Sequence, residues 1–96
     1  MKAHDRDEQI LRACAKLVQG GECYKTITRE QLATAVGCAE GLINHRFGTM
    51  ERLRAELMHW AVRHRELSVI AQGLTHGCKI ARRAPWHVIN DARELI

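Results

Sequence analysis

Apolar positions recur along the chain with the three-to-four-residue spacing of helix faces, and polar residues fill the intervals. Ile10, Leu11, Cys14, Leu17 and Val18 form one such stripe. They predict a helix over 7–18, capped by Asp5 or Asp7, with Glu8 in its first turn and Gly20-Gly21 as its stop. After a connector over 22–27, Thr28 and Gln31 stand at N-cap and N3 spacing, the pattern of a capping box. The helix they open turns Leu32, Ala33 and Val36 inward and ends at Gly37. A third short helix is expected over 40–46, with Leu42, Ile43 and Phe47 as its apolar anchors. Gly48 and Thr49 break the chain, and Thr49 caps a fourth helix over 50–64, whose stripe is Leu53, Leu57, Trp60 and Ala61. Beyond it, 66–74 reads as a fifth helix, with Gly73 and Gly77 marking a turn. A short helical turn over 78–83 follows, and Pro85 at N1 starts a last helix over 86–95. That helix turns Val88, Ile89, Ala92 and Leu95 inward.

The β-branched and aromatic residues are few and do not alternate, so the expected fold class is all-α. With 96 residues, the chain has room for one compact domain. It divides into a helix-turn-helix region with its fourth helix (1–64) and a C-terminal helical extension (65–96). No apolar run is long enough to span a bilayer, and the polar segment 1–7 lacks the apolar stretch of a signal peptide. The expected location is the cytoplasm. There the four cysteines, none at C-x-x-C spacing, read as small buried hydrophobes rather than disulfides. The net charge of +4 raises the prospect of an acidic partner only mildly.

The segment 28–47 carries the chemistry. Two short helices joined by a tight turn need a small residue at their closest approach, which Ala33 supplies. They also need a residue tolerant of positive φ where the first helix stops, which Gly37 supplies. Cys38 plugs the angle, and Leu42, Ile43 and Phe47 hold the second helix down. Ala39, Glu40, Gly41, Asn44, His45 and Arg46 are left facing outward. Asn pairs bidentately with adenine and Arg with guanine in a major groove, whereas Glu40 repels phosphate but accepts from a cytosine amino group. Arg29 and the Thr28 backbone N–H stand at a helix N-terminus, where phosphate is favoured.

Three strings together resemble the DNA-binding half of the TetR family of bacterial repressors. The first is Ile10-Leu11-x-x-Cys14-x-x-Leu17-x-x-x-Gly21. The second is Thr26-x-Thr28-x-x-x-Leu32-Ala33-x-x-x-Gly37-Cys38. The third is Glu40-Gly41-Leu42-Ile43-Asn44-x-x-Phe47-Gly48-Thr49-Met50-Glu51-x-Leu53. The register runs without a gap from Thr28 to Leu53, and the resemblance covers roughly residues 7–60. It implies a three-helix DNA-binding domain with contacts at Thr28, Arg29, Ala39, Glu40, Gly41, Asn44 and His45. Departures fall at Asn44, where the family usually has Tyr, at Met50, where it usually has Lys, and at Arg46, where it often has His. Arg46, His45 and Arg52 then have to supply the missing phosphate grips. Only about thirty residues follow His64, too few to enclose the family's usual ligand pocket, so no small-molecule inducer is implied. The expectation is a minimal regulator of the kind phages and mobile elements carry.

In the extension, Leu67, Ile70, Leu74, Trp86, Val88, Ile89, Leu95 and Ile96 either cap the small core, form a homodimer face or bind another protein. Lys79, Arg82 and Arg83 form a basic cluster, either solvated or touching DNA. Six histidines and four cysteines are present, but no two pairs have zinc-ligand spacing, and His59 and His64 splay apart on their helix. No metal, cofactor or catalytic residue is expected, since phosphate loop, nucleophile elbow and paired carboxylates are all missing. The expected function is sequence-specific binding of double-stranded DNA to regulate transcription. The alternative is a protein-binding helix-turn-helix scaffold that inhibits or modulates another regulator.

Overall fold

The computed structural model describes the backbone of residues 3–96 and the side chains of 5–96. Met1 and Lys2, the start of the polar N-terminal segment, lie outside the described residues. The described chain is all-helical. Its elements are α1 (Ala3–Gln19), α2 (Arg29–Val36), α3 (Glu40–Phe47), α4 (Met50–His64), α5 (Leu67–Thr75), α6 (Lys79–Arg82) and α7 (Trp86–Arg93).

Local chemistry sets most boundaries. The Thr28 hydroxyl accepts from the Gln31 amide at 3.2 Å, and the Gln31 side chain accepts from the Thr28 amide at 2.9 Å, completing the capping box of α2. Gly37 ends α2 in the left-handed region at φ 80°, with its amide on the Ala33 carbonyl. Thr49 caps α4 through the Arg52 amide at 3.1 Å. The N-terminus of α1 differs from expectation. The helix already begins at Ala3, so Asp5 and Asp7 lie inside it and neither is its cap. Pro85 is the N-cap of α7 rather than its first residue, with ψ of 140° still extended.

The core is one cluster. Ile10, Cys14 and Val18 of α1 meet Leu32 of α2, Ile43 and Phe47 of α3, and Leu53, Leu57, Met58 and Trp60 of α4. Val69 and Ile70 of α5, Ala81 of α6 and Val88 and Ala92 of α7 complete it. The central element is α5, which packs on α1, α4, α6 and α7. Much of the extension's apolar content is thereby used in covering the first four helices. Gly73 is not a turn residue, as its sequence context suggests, but a buried position within α5. A Cβ there would lie 2.6 Å from Met58 Cε and 2.8 Å from Ala81 Cβ, so the missing side chain lets three helices approach. Leu95 departs from its expected inward position. The helix α7 stops at Arg93, helical spacing no longer governs, and Leu95 is 57% exposed.

A polar network ties α1 to α4. Trp60 is buried, but its Nε1 donates to Glu8 Oε1 at 3.1 Å. Arg12 pairs with the other oxygen of Glu8 at 3.1 Å, and His64 Nε2 stands 3.4 Å from Oε1. Partial burial of the Glu8 carboxyl raises its pKa, but the Trp60 and Arg12 hydrogen bonds and the neighbouring positive groups together hold it below the ordinary carboxylate value.

Candidate functional site

Helices α2 and α3 are joined by the three residues Gly37, Cys38 and Ala39. The turn is tight because both the Gly37 and the Cys38 amides donate to the Ala33 carbonyl, at 2.8 and 3.0 Å. Ile43 and Phe47, one turn apart, are buried and fix the inward side of α3. Leu42 sits one residue round the helix from that line. It is half-exposed and stands outside the core, unlike the inward anchor its apolar character suggests.

The opposite side of α3 is open. Ala39, Glu40, Gly41, Asn44 and His45 are all exposed, and a Cβ at Gly41 would meet nothing within 4 Å. Arg52 is exposed on the first turn of α4, with its backbone amide held by Thr49. Arg46 is the exception among the expected outward residues. Its guanidinium turns back to α1 and grips Asp7 with two bonds, Nε to Oδ1 at 2.6 Å and a terminal nitrogen to Oδ2 at 3.0 Å. That hydrogen bond pushes Arg46 further above the ordinary guanidinium value. Arg46 therefore fastens α3 to α1 instead of projecting from the open face.

The start of α2 also needs correcting. The Thr28 amide is taken by Gln31 and is not available to an anion. The amides that helix geometry leaves without an acceptor in their own helix are those of Arg29 and Glu30. Both residues line a surface groove of about 620 Å³, together with Lys25, Thr28, Glu40, Met50 and Arg54. The groove brings Thr28, Arg29 and Glu40 together, while Asn44, His45 and Arg52 lie outside its lining.

Lys25 and Arg54 are the residues sequence reasoning missed. The proximity of Lys25 to the Thr28 cap was the available signal. Arg54 had none, because its partners are backbone atoms: its guanidinium donates to the Tyr24 and Ile27 carbonyls, at 3.1 and 3.2 Å. It thereby sets the loop that carries Lys25.

The charge of this region is mixed. Lys25, Arg29 and Arg52 share it with Glu30, Glu40 and Glu51. An anionic partner would meet local cations at particular points rather than a uniformly positive surface.

Elsewhere, Lys79, Arg82 and Arg83 are exposed on and just after α6. Arg83 borders a small groove with His59 and Arg63 of α4. Trp86, Leu95 and Ile96 are large apolar residues left exposed, at 74%, 57% and 69%. Among the described residues, no three His, Cys, Asp or Glu side chains are grouped to hold a metal ion. No helix among them is long and apolar enough to cross a membrane. Comparison with known proteins gives no match to a family model, to a curated protein or to a solved structure.

Proposed function

We propose that α2, its turn and α3 form a helix-turn-helix that binds double-stranded DNA sequence-specifically and regulates transcription in the cytoplasm, in the manner of a TetR-like repressor domain. The observation that carries this reading is the two-sidedness of α3. Ile43 and Phe47 anchor it in the core, while Ala39, Glu40, Gly41, Asn44 and His45 stand uncovered along one side. An eight-residue helix with the small residues Ala39 and Gly41 at its start is of the size that a major groove admits. In this reading Asn44 and Glu40 read base edges. Arg29, Lys25, Arg52 and the first amides of α2 hold phosphates, with Thr28 as the cap that aims them. Arg46 acts by fixing the tilt of α3 through Asp7.

One such module makes few contacts. A homodimer through the C-terminal region would place two of them on half-sites about 34–36 Å apart. The exposed Trp86, Leu95 and Ile96 support that arrangement. They equally support a second reading, in which the scaffold binds and modulates another regulator.

The two readings separate by mutation. In fluorescence anisotropy with duplex from the DNA flanking its own gene, Asn44→Ala is expected to cost about 1–3 kcal/mol and relax preference at one base pair. Wild-type protein that binds no duplex, or duplex binding that Asn44→Ala leaves unchanged in affinity and preference, would reject base reading by α3 and favour the protein-binding scaffold.

A further inference from the structure

The loop between α1 and α2 and the C-terminal end of α5 build a second site. Cys23 is half-exposed, and its Sγ stands 3.5 Å from His76 Nε2, although 53 positions separate the two residues. The pairing is held from both sides. Gln72 accepts from the Tyr24 amide at 2.8 Å and donates to the Glu22 carbonyl at 2.8 Å, bracketing Cys23 in the chain. The Cys23 carbonyl accepts from the Thr26 and Ile27 amides, at 3.0 and 3.1 Å. His76 is oriented by the edge of the Tyr24 ring, 5.9 Å between centroids.

The pair opens into a concave space of about 500 Å³. Ala71, Leu95 and Ile96 give it an apolar side, and Ser68 lies on its wall. No hydrogen bond occupies the Ser68 hydroxyl among the described residues. The other cysteines lack this combination. Cys14 is buried, which pushes its thiol up to about 12. Cys78 is half-buried beside the Tyr24 phenol and does not line this space.

We propose that Cys23 is a covalent capture site for small α,β-unsaturated carbonyl compounds, with His76 as the base that activates it. The thiol proton passes to His76 Nε2 as the sulfur lone pair forms a bond to the β-carbon. The C=C π pair moves to the carbonyl side as an enolate, with the Ser68 hydroxyl available to the oxygen. The proton then returns from His76 to the α-carbon. Nothing leaves and no oxidant is consumed, so the product is a thioether carrying every atom of both reactants. A thiol paired with a base is the arrangement that makes cysteine nucleophilic near neutral pH. The apolar side selects an organic electrophile over a small polar oxidant.

The test uses the folded full chain and substoichiometric N-ethylmaleimide, with each adduct located by peptide mass. Cys23 is expected to react about tenfold or more faster than Cys38 or Cys78, and Cys14 not to react. His76→Gln should bring the Cys23 rate down to that of Cys38 while the Cys38 rate and the helical circular dichroism stay unchanged. Equal rates at Cys23, Cys38 and Cys78 would overturn the proposal. So would a Cys23 rate that is unchanged or raised in His76→Gln, since loosening the loop exposes the thiol but removing a base does not speed it. If His76→Gln fails to fold, Ser68→Ala together with the wild-type ranking of rates decides, a slowing confined to Cys23 being expected and no slowing refuting the site.

Discussion

Gly73→Ala places one methyl group at the junction of α4, α5 and α6. The added Cβ would lie 2.6 Å from Met58 Cε, 3.0 Å from Met58 Sδ and 2.8 Å from Ala81 Cβ. Ordinary carbon contacts begin near 3.5 Å. The tip of Met58 is flexible, but Met58 is fully buried and has little space to swing into. The Ala81 Cβ is fixed to the α6 backbone, so relief there requires α6 to shift. Overpacking of this kind costs about 1–3 kcal/mol. Replacing glycine inside a helix returns about 1 kcal/mol. With two neighbours below 3 Å the upper part of the range applies, leaving a net loss of about 1–2 kcal/mol. In a domain of this size that lowers Tm by roughly 4–16 °C.

Gly41→Ala is the control. It is also helical, but a Cβ there meets nothing, so the same substitution should raise stability by up to about 1 kcal/mol. Thermal and urea unfolding followed by circular dichroism measure both. A Gly73→Ala protein as stable as wild type, or more so, would refute the packing argument. Partial recovery on adding Ala81→Gly would localise the clash.

Three further outcomes follow from the same geometry. Glu8 has a lowered folded pKa, so the stability it contributes is present above its unfolded value near 4.3 and is lost as pH falls through the folded one. Urea midpoints of wild type and Glu8→Gln should therefore differ at pH 7 and converge as pH falls through the lowered folded value, below the ordinary carboxylate range; a constant gap would contradict the linkage. Thr49→Ala removes the cap of α4 and should cost about 1 kcal/mol in the same unfolding assay, whereas Thr49→Ser should cost little. Asp7→Asn, like Arg46→Ala, should loosen α3 and weaken DNA binding evenly across sequences, while Asn44→Ala changes preference at one position; a base-specific effect of Arg46→Ala alone would place its guanidinium back on the DNA side.

The features legible in the sequence are those whose partners are close in the chain. The capping box Thr28–Gln31, the left-handed Gly37 and the Thr49 cap each act within one helical turn. The inward residues Ile43, Phe47, Leu53 and Leu57 follow directly from helical spacing. What was not legible depends on distant partners. Arg46 looks like an outward cation until α1, 39 positions earlier, presents Asp7. Gly73 looks like a breaker until Met58 and Ala81 crowd it. Cys23 and His76 have no local spacing to betray them. Leu42 and Leu95 show the converse: apolar character alone suggests burial, but one stands to the side of a short helix and the other beyond a helix end.

The open side of α3 is proposed to read DNA. The most direct measurement is a salt titration of binding to labelled duplex from the DNA flanking its own gene, beside a scrambled duplex of the same length. Sequence-specific recognition predicts tight binding to the native duplex and weak binding to the scramble. It also predicts a shallow log–log slope, a few released counterions per module, because Glu30, Glu40 and Glu51 stand among the cations. Weak and equal binding to both duplexes at every salt concentration would contradict it.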